Sequence, residues 1–221
     1  HLRKDFPQLD PGRVRVVFNG VDVETWQAGE RERLREETRR SIGLAPGAPL
    51  ALFVAHNFKL KGLGELIRAM PRVRAPLQLV IAGRDDATPF RRSAARSGVA
   101  ARVHFIGPAA TRPLYAAADV VVHPTWYDPC SRVVLEALCL GVPVVTTKLN
   151  GAAEAIAEGA DGAVIASPAD SAALAAAIDE RVAAGPVVSN ERLRQTRERL
   201  SMQRHARELR ALYEEIAGAR R

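Results

Sequence analysis

Two carboxylates eight residues apart, Asp128 and Glu136, bracket the stretch WYDPCSRVVLEALCLGVPVV, in which a loop runs into an apolar helical pattern closed by Gly-Val-Pro. Ser131 stands where a helix N-cap belongs and Gly141 where a helix stops. Asp128 then lies in the loop, and Glu136 lies about one and a half turns into the helix. The backbone amides of Ser131, Arg132 and Val133 open that helix. Unsatisfied amides at the positive end of a helix attract anions. An acid, a nest of amides and a second acid suit a ligand with phosphate in its middle and hydroxyls at either end, which is the outline of a nucleotide-sugar.

Other residue types offer less chemistry. Cys130 faces the same loop but has no base beside it, and Cys139 falls on the apolar helix as a core residue. Two cysteines make neither a zinc site nor a disulfide framework, so a reducing compartment, the cytoplasm, is expected. His56 and His123 end apolar runs, and His123 reads as a satisfied core or rim histidine. Arg84, directly after VIAG, is a second candidate for phosphate. Lys59 reads as a solvated loop lysine, and Glu154, after NGAA, as a residue that fixes its loop. Neither a G-x-G-x-x-G fingerprint nor a P-loop is present.

The elements that must position these residues follow a repeating pattern. PLALFVAH, LQLVIAG, RVHFIG, DVVVHP, VPVVTT and GAVIAS are short apolar runs, and helical patterns separate them, including LGELIRAM after Lys61-Gly62 and the alanine-rich run from Ala169 to Ala184. Apolar strands alternating with helices predict a doubly wound α/β domain with a parallel sheet covered on both faces. Ligands of such sheets bind beyond the carboxyl ends of the strands. The loops after Ala55, Gly83, Gly107, Pro124 and Thr147 are therefore expected to meet at one cleft.

The chain has 221 residues, 47% hydrophobic and 26% charged, as in an ordinary globular protein, and no apolar segment reaches membrane-span length. A net charge of +7 would fit an anionic partner, but the arginines crowd Glu30–Arg40 and Glu191–Arg210, interleaved with glutamates at helical pair spacing. That is a solvated face, and nucleic acid is not expected as a partner. The basic C-terminal helix, ending in Arg220 and Arg221, offers peripheral contact with the inner face of a membrane. Residues 1–22, with the β-branched run RVRVVFNGVD and the Asn19-Gly20 turn, read as an entry segment from a preceding N-terminal domain. Residues 23–185 read as the nucleotide-binding domain, and 186–221 as C-terminal helices.

FNGVD, FKLKGLGELIRAM, LQLVIAG, VHFIG, LYAAADVVVHP and D-x7-E followed by ALCLGVPVVTT occur in one order over about Arg13 to Ile178. Together they resemble the C-terminal donor-binding domain of GT-B retaining glycosyltransferases of family 4, nearest the lipopolysaccharide core glucosyltransferases. The resemblance implies that Glu136 bonds the ribose hydroxyls and that Asp128 touches the transferred sugar. It implies further that Lys61 and the amides around Pro129, Cys130, Ser131, Arg132 and Val133 hold the diphosphate, and that Ile106 and Gly107 face the base, which it implies is uracil. It also implies that no metal or other cofactor is needed, since cations and helix amides stabilise the leaving diphosphate. Three departures stand out: Asp128 replaces the family's glutamate, Cys130-Ser131 replaces Phe-Gly, and His56, Asn57 and Lys59 stand where an arginine often precedes Lys-Gly. A nucleotide-sugar epimerase of the same fold and a non-catalytic nucleotide-sugar-binding module are the competing readings.

Overall fold

The structure is a computed structural model that describes residues 6–218 except 11, 13, 23, 46, 158, 160 and 186–188. After α1 (Glu30–Ser41) come β1 (Leu50–Val54), α2 (Leu63–Ala69), β2 (Gln78–Ala82), α3 (Thr88–Arg96), β3 (Val103–Gly107) and α4 (Thr111–Ala117). The second half holds β4 (Val120–His123), α5 (Arg132–Cys139), β5 (Val144–Thr147), β6 (Gly162–Ile165), α6 (Ser171–Ala184), α7 (Asn190–Leu200) and α8 (Met202–Gly218). All six strands pair in parallel in the order β3-β2-β1-β4-β5-β6. The doubly wound fold expected from the alternating runs is the one formed.

Strand order reverses between β1 and β4, so their carboxyl ends diverge there and leave a crevice. β1 shows why its sequence is continuously apolar. Ala51 and Phe53 pack on one face with Leu63, Leu66 and Ile67 of α2, while Leu50 and Leu52 pack on the other with Leu114 of α4 and Leu135 of α5. Alternate residues of a strand point to opposite faces, and here both faces are core. Asp119, just before β4, anchors α1 to the amino end of the sheet through Arg35 at 2.5 Å and the Leu50 amide at 2.8 Å.

Outside this frame the β-branched run before Gly20 forms no strand. Residues 14–20 have no regular structure, Val16 is exposed, and only Val21 makes a β-bridge, to Ser201. The segment is held instead at the junction of the two C-terminal helices, where the Val21 amide donates to the Leu200 carbonyl at 2.9 Å. The two C-terminal helices are present, α7 packing on α5 and α8 having no buried residue. Among the described residues α8 carries three arginines and three glutamates, so any basic excess there lies in Arg220 and Arg221, outside the described residues. No helix among the described residues is long and apolar enough to cross a membrane.

Candidate active site

The loops at the carboxyl ends are drawn together by backbone approaches that only glycine permits. A Cβ on Gly62, whose φ is +82°, would lie 2.0 Å from the carbonyl oxygen of Pro124, and one on Gly151 would lie 2.0 Å from that of Pro129. Gly62 thus presses the loop after β1 onto the loop after β4, and Gly151 presses the loop after β5 onto the Asp128 turn. Hydrogen bonds complete the seam: the Trp126 amide donates to the Leu60 carbonyl at 2.9 Å, and the Thr147 hydroxyl donates to the Thr125 carbonyl at 2.7 Å. On the other side the Gly83 amide donates to the Gly107 carbonyl at 3.0 Å.

This seam brings Lys61 and Asp128 into direct contact. The Lys61 ammonium donates to Asp128 Oδ2 at 2.8 Å and to the Tyr127 carbonyl at 3.1 Å. Two of its three N–H groups are therefore engaged. The side chains retain only 19% and 12% of their exposure, so the pair is shielded but still reached by solvent. Asp128 Oδ1 accepts from the Cys130 amide at 3.1 Å, which fixes the carboxylate in an Asx turn. Burial tends to raise the Asp128 pKa, but the adjacent His123 ring and the Lys61 ammonium more than offset it and bring it down to about 2.

His123 departs from the satisfied histidine expected of it. It ends β4 almost fully buried, stacks on Phe53 with ring centroids 6.0 Å apart, and points Nε2 at Asp128 Oδ2 from 3.7 Å. Neither ring nitrogen has a hydrogen-bond partner among the described residues. Burial lowers its pKa, so the ring beside Asp128 is neutral at pH 7.

The start of α5 differs in detail from the open amide nest. Ser131 occupies the N-cap position without a side-chain cap, and its own amide donates to Asn150 Oδ1 at 3.3 Å. The nest is therefore narrower than expected, because the Ser131 amide is already used by a buried side chain. Asn150 also accepts from the Ala152 amide at 3.0 Å and donates to Thr146 Oγ1 at 3.0 Å, tying β5 to α5. Its only sequence signal is the Asn-Gly turn dipeptide. The amides of Arg132 and Val133 have no acceptor among the described residues and remain available to an anion.

Glu136 faces a second part of the cleft. Its Oε2 accepts from the Tyr115 hydroxyl at 3.0 Å and its Oε1 from exposed Arg132 at 3.4 Å. Beside it opens a cavity of about 350 Å³ lined by Asp22, Glu24, Thr111, Arg112, Tyr115 and Leu140. None of these was singled out from the sequence, because Asp22 and Glu24 precede α1, Thr111, Arg112 and Tyr115 lie on α4 and Leu140 caps α5, and they meet Glu136 only in the fold. Arg112 is itself committed, to Glu30 at 2.9 Å and to the face of Trp26.

The remaining candidates are spread along the same rim. Asn57 is exposed and its Oδ1 caps its own loop through the Leu60 amide at 2.9 Å. Arg84 is exposed with no ion pair among the described residues, so it is free to approach an anion. Ile106 and Gly107 are half-buried at the end of β3, the Gly107 carbonyl being taken by Gly83. Pro129 is exposed, and Cys130 is half-buried with its thiol pushed up by burial, which removes thiolate chemistry at neutral pH.

A single parallel sheet, an acid and a lysine joined across its switch point, and a second acid one helix turn beyond define the site. Residues 48–183 match the family model of the glycosyl transferases group 1. The chain belongs to this family. D-inositol 3-phosphate glycosyltransferase 2 of Catenulispora acidiphila is 34% identical over 71% of this chain and 40% of that protein. Lipopolysaccharide glucosyltransferase WaaG of Escherichia coli K12 is 32% identical over 73% of this chain and 44% of its own length. The crystal structure of Anabaena HepE in complex with UDP and glucose superposes on 96% of this chain and 60% of that chain with a TM-score of 0.78 at 22% identity. This group 1 chain spans less than half the length of the two curated relatives.

Proposed function

We propose that the chain is the donor-binding domain of a retaining glycosyltransferase that moves a sugar from a nucleoside diphosphate sugar, with UDP as carrier, to an acceptor. The observation that carries this reading is the convergence of Lys61, Asp128 and the two open amides of α5 on one crevice, with Glu136 on the same helix. Lys61 and the amides of Arg132 and Val133 hold the diphosphate and stabilise the charge left on it as the sugar departs, with no metal required. Asp128 takes a hydroxyl of the transferred sugar, Glu136 takes the ribose, and Ile106 and Gly107 border the base. Arg84 adds positive potential from the loop after β2.

The ion pair modifies one part of this division of roles. Lys61 is bound to Asp128 before a donor arrives, so a diphosphate must share or displace that contact. In this reading a second domain supplies the acceptor site against the crevice. The greater length of the relatives supports that arrangement. The resemblance to the Escherichia coli enzyme supports a role in lipopolysaccharide or cell-surface glycan synthesis, at the cytoplasmic face of a membrane.

A thermal-shift screen of this chain against UDP-, GDP- and ADP-sugars tests the reading, since a ligand that binds only the native state raises its Tm. A shift with UDP-sugars is expected. No shift with any nucleotide-sugar, at concentrations that saturate a related transferase, would contradict it.

A further inference from the structure

Glu136 does not stand alone on its helix. The Tyr115 hydroxyl reaches its Oε2 at 3.0 Å and the Val133 carbonyl at 3.3 Å. A phenol has a single proton to donate, and the carboxylate is the nearer and the charged acceptor. Tyr115 is only 1% exposed and belongs to the core cluster on one face of the sheet that also holds Leu114, Val134, Leu135 and Leu138. Its position is therefore set by the core, and the core in turn sets the carboxylate. The other contact of Glu136, from Arg132, is longer at 3.4 Å and comes from a side chain that is 69% exposed.

We infer that Tyr115 is a positioning residue for nucleotide recognition: it holds one oxygen of Glu136 so that the other is presented to the adjoining 350 Å³ cavity, where a ribose diol binds. The inference rests on the proposed role of Glu136. A glutamate with three rotatable bonds on a helix surface loses rotamer freedom when it grips a ligand. The buried phenol imposes that order before the ligand arrives. Burial, reinforced by the neighbouring Glu136 charge, pushes the Tyr115 hydroxyl well above its usual pKa, so it stays protonated and donating throughout the neutral range.

The expected consequence is specific to the hydroxyls of the sugar. Tyr115→Phe keeps the ring that fills the core and removes only the hydrogen bond. It should weaken UDP about two- to tenfold while affecting 2′-deoxy- and 3′-deoxy-UDP less, so the preference for UDP over its deoxy analogues falls. Glu136→Gln should reduce the same preference further, and the double variant should be no worse than Glu136→Gln alone, because the phenol acts through the carboxylate.

Calorimetric titration of the four proteins with UDP and the two deoxy analogues decides the matter. The preference is a ratio taken within each protein, so a partly unfolded fraction cancels and a mere loss of stability does not move it. The expected order is wild type above Tyr115→Phe, and Tyr115→Phe above or equal to both proteins carrying Glu136→Gln. If Glu136→Gln abolishes the preference while Tyr115→Phe retains all of it, the positioning role is overturned and the role of Glu136 stands. If Glu136→Gln retains the preference, the assignment of Glu136 to ribose falls, and the inference falls with it.

Discussion

Replacing Asp128 with Asn removes the negative member of the Lys61 pair while keeping an oxygen to accept from the Cys130 amide. Its effect on stability follows from the pKa. Asp128 is lowered from 3.8 to about 2 in the folded chain, with burial opposing the shift and His123 and Lys61 driving it. A folded-state value below the unfolded one means the carboxylate stabilises the fold above the unfolded pKa and loses that contribution as pH falls through the folded one. At about 1.4 kcal/mol per pKa unit, the shift corresponds to roughly 2 kcal/mol at pH 7 as an upper figure, and linkage leaves about half of it at pH 3. Asp128→Asn should therefore be up to about 2 kcal/mol less stable than wild type at pH 7, and the gap should narrow steadily between pH 5 and pH 3. Urea denaturation of both proteins across that range measures it. Other acids with lowered values, such as Asp179 and Glu30, lose stability in both proteins and cancel in the difference. A gap that stays constant with pH would refute the reasoning, because the substitution would then act through packing and not through the charge.

The same substitution should not weaken UDP. Freed from Asp128, Lys61 should bind UDP as tightly as in wild type or a few-fold more tightly, while discrimination among UDP-sugars is lost; calorimetry with UDP and two UDP-hexoses checks both. Lys61→Ala should weaken UDP about 10- to 150-fold, the range of a charge-assisted contact, but leave uridine binding nearly unchanged, and equal weakening of both would mean that Lys61 acts on the fold. Gly62→Ala should destabilise the chain and impair UDP binding together, since a Cβ there meets the Pro124 carbonyl and the left-handed backbone disfavours it; wild-type Tm and affinity would show that the two loops can part without loss.

Much of this arrangement is written in periodicity. Runs such as LALFV, apolar on every residue, and QLVIA, apolar after Gln78, belong to strands covered on both sides, and six such strands joined by helices leave few topologies. Asp128 and Glu136 could be placed relative to α5 because Gly141 ends that helix with φ +71°, as a C-terminal glycine should. Local pattern fails where partners are distant. RVRVVFNG has strand propensity, but a strand needs a neighbour, and the one bridge beside this run is that of Val21 to Ser201. Asn150 takes the amide that Ser131 was expected to leave free, a contact across 19 residues. The Lys61–Asp128 pair spans 67 residues, and the Tyr115–Glu136 bond joins two helices, so neither can be read from spacing along the chain. His123 looked like an ordinary strand end, and only the turn that returns Asp128 above it makes it part of the site.

On the proposed function, one crevice at the β1–β4 switch point binds a nucleoside diphosphate through Lys61 and the start of α5. Titration of the chain with UDP in the presence of EDTA, repeated with Lys61→Ala, tests it most directly. One UDP per chain is expected, bound without a divalent cation and weakened at least tenfold by the substitution, in line with the loss of a charge-assisted contact. Binding that vanishes in EDTA and returns with a divalent cation, or that is indifferent to Lys61, would contradict it.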